Sequence, residues 1–292
     1  MVEGGEVNLK NVAAIFMGIA LLVAMTSWAA PLSTGELHRC CLYPTVRVTT
    51  AEAGGSGTFL WSIPVEPGRF AHYVLTNHHV IESAIKISEE WDSLKKKEIK
   101  VERRQTVHVE FFQYRNLSEP VGTLKTAADI VAWDKDEDLA LLKLRDEGQK
   151  PDVAKLIPQD RIGTLRLFQP IVAIGAGLGH APFPTTGLIT SMVDEIDRKP
   201  YMMGSAQIIF GNSGGGVYLL ETGEFIGVPS RVAVSFRGFS AIVATHMGFF
   251  IPAQRIYGFL EAQGHAFLYD PAATSYEDWL KAKKARKDLD PE

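Results

Sequence analysis

The chain has 292 residues, of which 46% are hydrophobic, 22% charged and 10% aromatic, with a formal net charge of −4. That is the balance of an ordinary globular protein, long enough for one large core or two smaller ones. It excludes the global basic excess that nucleic-acid binding calls for. The two cysteines, Cys40 and Cys41, are adjacent and therefore poor partners for a disulfide, so they exclude a disulfide framework and supply too few ligands for a zinc site.

From Asn11 to Gly35 no residue is charged, and Val12–Ala30 is almost wholly apolar. A run of that length can span a bilayer and exceeds a usual signal-peptide apolar region. Ser27 and Ala29 are small residues of the kind that precede a cleavage point. Residues 1–35 are therefore read as a transmembrane anchor, with a cleaved signal segment as the alternative. Either places the remainder outside the cytoplasm, periplasmic or extracellular, as a membrane-tethered or secreted protein. The Cys40–Cys41 pair is read as structural or incidental, although a thiol beside a membrane is open to acylation.

Short runs rich in Val, Ile, Thr and aromatics follow, punctuated by Gly, Pro, Asn and Asp: "TVRVTT", "GTFLWSI", "FAHYVLTN", "QTVHVEFFQY", "DIVAW", "LALLKL", "IVAIG", "GLITSMV", "GVYLL" and "EFIGV" among them. Many short strands with few helical stretches predict an all-β barrel or sandwich. The stretch 87–104, "ISEEWDSLKKKEIKVERR", is dense in both charge signs and reads as a solvated loop or surface helix. Charge, Pro and Gly at 146–160 separate two β units, about 42–145 and about 161–250. A helix is expected at 252–263, with Pro252 at its first position, Ile256, Phe259 and Leu260 on one face, and Gly264 as its stop. The charged tail 263–292 carries a further surface helix, opened by Thr274 and Glu277 in capping-box spacing. Asn116-Leu117-Ser118 is a glycosylation sequon only in a host that glycosylates. "GAGLGH" lacks the G-x-G-x-x-G spacing of a dinucleotide loop, and no helical pattern follows it.

Three strand-end stretches belong together: His78 and His79 in "YVLTNHHVI", Asp138 in "DKDEDLALLKL", and Ser213 in "IIFGNSGGGVY". A serine hydroxyl becomes a nucleophile when a base takes its proton and a carboxylate fixes the tautomer of that base. Glycines around Ser213 suit a backbone whose N–H groups must face a substrate carbonyl. Gly211 and Ser213 would form the oxyanion hole, each donor contributing about 3 kcal/mol to the transition state.

On these pieces, together with "GSGTFL", "IVAIGAGLGHAPFPTTGLITSM" and "MGFFIPAQRI", the chain resembles the trypsin-like (chymotrypsin-fold) serine proteases, and among them the HtrA/Deg branch. The resemblance runs in family order from about residue 43 to 262. It implies two six-stranded antiparallel β-barrels with the site in the cleft between them, flanked here by an N-terminal hydrophobic helix and C-terminal helices. It implies His79 as general base, Asp138 as its orienting carboxylate and Ser213 as nucleophile, with no metal or organic cofactor. Asn212 stands where digestive trypsins carry an Asp that pairs with a newly cut N-terminus, so activation by that ion pair is not expected. The 30 residues after Ala262 are too few for the PDZ domain HtrA proteins usually carry. The oligomeric state stays open, homo-oligomers included.

Ile208, Gly227, Val228, Pro229 and Ser230 should shape the first substrate pocket. No acid lies nearby in sequence, so small to medium apolar P1 residues are expected. Packing of Ile208 inside the barrel is an equal alternative. The expected function is a serine endopeptidase acting on protein or peptide substrates through an acyl-enzyme. A catalytically silent trypsin-like binding or chaperone module and an esterase are the rivals.

Overall fold

The computed structural model describes residues 31–148, 152–238, 240–270 and 272–275, with isolated positions 278, 281, 282 and 285 beyond them. The expected N-terminal anchor or signal helix lies outside the described residues, as does most of the helix expected in the charged tail. Among the described residues no helix is long and apolar enough to cross a membrane. The described chain opens on α1 (Thr34–Leu37), closed at its start by Ser33 and Glu36, each side chain bonded to the other's main-chain N–H. A π-helical turn, His38–Leu42, follows and carries both free thiols, their sulfurs 3.3 Å apart.

Six strands make the first barrel: β1 (Thr45–Thr49), β2 (Gly54–Glu66), β3 (Arg69–Thr76), β6 (Val107–Arg115), β7 (Glu119–Asp134) and β8 (Leu139–Leu144). They close in the order β1-β2-β3-β8-β7-β6. The second unit uses β10 (Pro170–Gly175), β11 (Phe183–Ile196), β12 (Lys199–Gly204), β13 (Gly216–Leu219), β14 (Glu224–Arg237) and β15 (Ser240–Pro252). The order β13-β10-β11-β12-β15-β14 returns on itself because β13 also pairs with β14. A short strand, β9 (Lys155–Leu156), adds parallel to β14, so the expected pair of six-stranded barrels carries one extra edge strand.

Side chains alternate across a strand, and here the two faces enter two different cores. In β8, Ala140, Leu142 and Leu144 fill the first barrel, while Leu139 and Leu141 point into a second cluster. In β10, Ile171 and Ala173 fill the second barrel, and Val172 and Ile174 join that same second cluster. Tyr73, Leu75, Tyr218, Phe225, Val228 and Ile251 belong to it too. One apolar core therefore joins the barrels, which is why their strands read as unbroken apolar runs rather than alternating ones. Leu139 and Leu141 are fully buried, and truncating either to Ala would cost about 2–5 kcal/mol.

The charged segment is neither a loop nor a helix. β4 (Ile85–Asp92) and β5 (Lys97–Arg104) pair with each other as a separate two-stranded hairpin. Two short helices, α2 (His78–Ile81) and α3 (Gln159–Ile162), lie between strands. The predicted final helix is α4 (Ala253–Ala262), with Pro252 as its N-cap, one position earlier than read. Ile256, Phe259 and Leu260 are buried as spaced, and Gly264 ends the turn at φ 73°.

Candidate active site

β3 ends at Thr76, and Asn77, in extended backbone, leads directly into α2, which carries His79. On the neighbouring turn between β7 and β8, Asp138 takes a left-handed backbone, φ 53°. The Asn77 amide donates to the Asp138 main-chain oxygen at 2.9 Å, locking the two turns together. His79 Nδ1 lies 2.9 Å from both Asp138 carboxylate oxygens, and the His79 main-chain N–H donates to Oδ1 at 3.1 Å. From the other barrel, Ser230 Oγ donates to Oδ2 at 2.7 Å. Burial pushes the Asp138 carboxyl up, but these donors more than offset it and hold the group below the ordinary aspartate range.

An ionised carboxylate only accepts, so Nδ1 of His79 carries the proton and Nε2 keeps its lone pair. The His79 side chain is 44% exposed, and its Nε2 has no hydrogen-bond partner among the described residues. His78 is different: it is buried against Trp133, ring centroids 5.1 Å apart, and burial holds its pKa below the usual histidine value.

The loop that carries Ser213 lies on the second barrel, just before β13. It is built from main-chain bonds: Asn212 N to Ile209 O at 3.0 Å, Gly215 N to Asn212 O at 2.9 Å, and Gly214 N to Pro229 O at 3.1 Å. The Ser213 main-chain oxygen accepts from Ser56 N at 2.8 Å. Ser56 Oγ donates to Gly211 O at 2.6 Å and accepts from Ala176 N at 2.7 Å. Leu178 N donates to Phe210 O at 2.8 Å. In a trans peptide C=O and N–H point opposite ways, so this bond turns the Gly211 N–H away from Leu178. The N–H groups of Gly211 and Ser213 take no acceptor among the described residues.

The glycines have a local cause. Gly211 and Gly214 stand at φ 96° and 85°. A Cβ on Gly214 would lie 2.1 Å from Ser56 O, and one on Gly211 would lie 2.8 Å from both Ala176 O and Leu178 N. The protein's own backbone, rather than an approaching substrate, sets the crowding at these positions.

The loop that carries Ser213 and the turns that carry His79 and Asp138 contact shared neighbours without being joined to each other. A Cβ on Gly55 would meet Val80, the residue after His79, at 2.7 Å and Ser213 O at 3.0 Å. Gly214, the residue after Ser213, hangs on Pro229, the residue before Ser230. His79 Nε2 and Ser213 Oγ are not hydrogen-bonded to each other. Catalytic hydrogen bonds in unliganded sites are often long and tighten when substrate binds.

Of the other pocket residues, Ile208 is buried in the second barrel's core, its N–H bonded to Thr245 O at 2.9 Å and its side chain against Gly248. Gly227 and Val228 lie within β14, and Val228 belongs to the shared core. Pro229 and Ser230 hold the nucleophile loop and the carboxylate, respectively. A cavity of about 420 Å³ opens against Gly211, walled by Phe210, Leu178 and Arg47.

Sequence reasoning missed Ser56, Ala176, Leu178 and Asn77, whose hydrogen bonds hold the Ser213 loop and the Asp138 turn. Ser56 between two glycines was the one visible signal, and "GAGLGH", set aside as a dinucleotide loop, supplies the contacts of Ala176 and Leu178. Among the described residues no group of three His, Cys, Asp or Glu side chains is gathered closely enough to hold a metal ion.

No curated protein matches the chain. Among solved structures it is similar to a variant of the HtrA-type protease AlgW with tripeptide, at 19% identity and a TM-score of 0.56. The match covers 82% of this chain and 65% of that one, and at this identity it supports the two-barrel fold alone. Residues 55–228, more than half of the sequence and all three predicted catalytic positions, match the trypsin-like peptidase domain. The chain belongs to the trypsin-like peptidase family.

Proposed function

We propose that the protein is a serine endopeptidase of HtrA-like type that cleaves protein or peptide substrates through an acyl-enzyme. The observation that carries this reading is the His79–Asp138 pair, its Nδ1–carboxylate bond in place, with the Ser213 loop tied to Ser56 and, through Pro229, to the strand whose Ser230 holds Asp138. In the first step Ser213 Oγ attacks the scissile carbonyl carbon while His79 Nε2 takes the hydroxyl proton. Asp138 stabilises the imidazolium that results. The carbonyl oxygen becomes an oxyanion, for which the Gly211 and Ser213 N–H groups are the available donors. His79 then returns its proton to the leaving amine, and the C–N bond breaks. Water, deprotonated by the same Nε2, attacks the ester in the second half, releasing the acid product and restoring Ser213. Ile208 packs in the second barrel's core against Gly248, so the small to medium apolar P1 preference rests on the sequence, where no acidic residue lies between Ser205 and Gly216.

A fluorophosphonate probe tests the reading directly. The wild-type protein is expected to label, and Ser213→Ala to lose labelling and casein cleavage while keeping its urea midpoint, because one hydroxyl is removed. His79→Ala should lose turnover as completely, and the double variant little more than either alone. Absence of labelling in the wild-type protein at any pH would leave a binding module instead. Turnover of short-chain esters without casein cleavage would make it an esterase.

A further inference from the structure

The dyad and the nucleophile stand on different barrels, and the apolar core between them is non-directional. Directional bonds across the cleft must set the orientation of the Asp138 turn. Ser230 supplies one. The residue before Asp138 supplies a second, more elaborate one. Glu137 on the first barrel accepts from Lys199 Nζ at the start of β12 and from Arg255 Nε, at 2.7 Å, in the first turn of α4. Arg255 Nη2 also donates to the Glu137 main-chain oxygen at 3.0 Å, and Nη1 to Pro200 O at 3.2 Å. The guanidinium carbon stands 4.8 Å over the Tyr201 ring, and the Arg255 side chain is only 9% exposed.

The oxygen that Arg255 grips belongs to the peptide bond joining Glu137 to Asp138. Fixing that oxygen fixes the plane from which Asp138 departs at φ 53°, a left-handed backbone that few non-glycine residues adopt, Asp more readily than most. Burial pushes the Glu137 carboxyl up, but Lys199 and Arg255 more than offset this, so it stays below the usual glutamate range and ionised. We propose that Arg255, acting through Glu137 and backed by Lys199, is a positioning residue for catalysis: an inter-barrel clamp that aims the Asp138 carboxylate at His79. The proposal rests on the peptidase reading of the site. Arg255 touches neither substrate nor the reacting atoms.

Arg255→Lys separates charge from geometry. It keeps the cation and much of the stem, but one ammonium cannot reach three acceptors held by a planar fork. Wild type, Arg255→Lys, Glu137→Gln and their combination are compared for casein turnover, fluorophosphonate labelling rate and the downfield proton resonance of the His79 Nδ1–H bonded to Asp138. Displacing a catalytic group by a fraction of an ångström gives losses of about 10- to 100-fold. That loss is expected in kcat for both single variants, with KM unchanged and the Nδ1–H resonance weakened or lost. The double variant should be no worse than the more impaired single, since the two residues act as a unit. Arg145→Lys, which alters a surface pair with Asp129 (2.7 Å), is the control and should match wild type. Folded Arg255→Lys with wild-type kcat and an intact Nδ1–H resonance overturns the clamp. If Arg255→Lys does not fold, Glu137→Gln decides by the same readouts. If the wild-type protein fails to label, the peptidase reading falls, and the resonance alone judges the clamp.

Discussion

Asp138 is surrounded by side chains, whereas Ser213 is surrounded by main chain. On the base half, His79, Ser230 and Asn77 each reach Asp138 through a side-chain atom. On the nucleophile half, Ser56, Pro229, Ile209 and Leu178 hold residues 210–215 through backbone N–H and C=O groups, with Ser56 Oγ adding the one side-chain link. A side-chain bond can be deleted while the backbone that carries it stays in place. A loop held by its own backbone offers no such handle, because any added atom meets another main-chain atom. The base half should therefore lose function without losing structure, and the nucleophile half should lose both together.

The largest effect is expected from Asp138→Asn. An amide presents a donor as well as an acceptor to His79 Nδ1, so the imidazole tautomer is no longer fixed with its lone pair on Nε2. Turnover should fall about 10⁴-fold. The urea midpoint should stay near that of wild type, since the amide oxygen can accept from the His79 main-chain N–H while the Ser230 hydroxyl, which accepts as well as donates, faces the new NH2 group. Unfolding of this variant would break the comparison, by showing that the base half too is a structural unit.

Gly214→Ala addresses the other half. The new Cβ would sit 2.1 Å from Ser56 O and 2.3 Å from Thr76 Oγ1, at a residue with φ 85°. Left-handed strain and overpacking together should cost about 3 kcal/mol or more. A fall in urea midpoint should accompany complete loss of labelling, although no reacting atom has been touched. A Gly214→Ala protein that retained stability but lost labelling would place the two halves on the same footing.

This contrast also explains what could be read in the sequence. His79, Asp138 and Ser213 stood out as candidates because the chemistry proposed for them fixes their side-chain type and each lies beside a strand, after β3, before β8 and before β13. The two barrels were visible because strands serving two cores are apolar on both faces. Ser56, Ala176 and Leu178 were hidden, since they act on or through the backbone, where many residue types would serve. The hairpin β4–β5 was hidden for another reason. It pairs only with itself, so Ile85, Ile87, Ile99 and Val101 alternate with charges instead of forming a run. Its turn also lacks glycine: Asp92 accepts from Leu94 N at 2.9 Å and Lys95 N at 3.0 Å, and Lys96 takes φ 50°. The clamp of Glu137, Lys199 and Arg255 joins positions that no local pattern connects.

Acid should sharpen the same division, with the smallest effect. No side chain between Gln207 and Gly216 titrates, whereas His78 lies beside His79, and burial lowers the His78 pKa. A histidine with a lowered folded-state pKa favours folding while neutral. That contribution is fully present above the reference value of about 6.5 and is lost as pH falls from there toward the folded-state pKa. His265, which burial pushes down to about 4, adds a loss on the same side of neutrality. Its ring lies against Tyr73 of β3, the strand leading to 77–81, so its loss falls on the base half as well, and a His78 variant is needed to separate the two. Amide exchange corrected for its intrinsic pH dependence should show protection of 77–81 falling below pH 6.5 faster than that of 211–215. His78→Phe, which keeps an aromatic ring against Trp133 and removes the titration, should narrow the difference by the share His78 contributes. Equal loosening of the two segments in the wild-type protein would mean that the main-chain loop depends on the packing of the base half for its own stability.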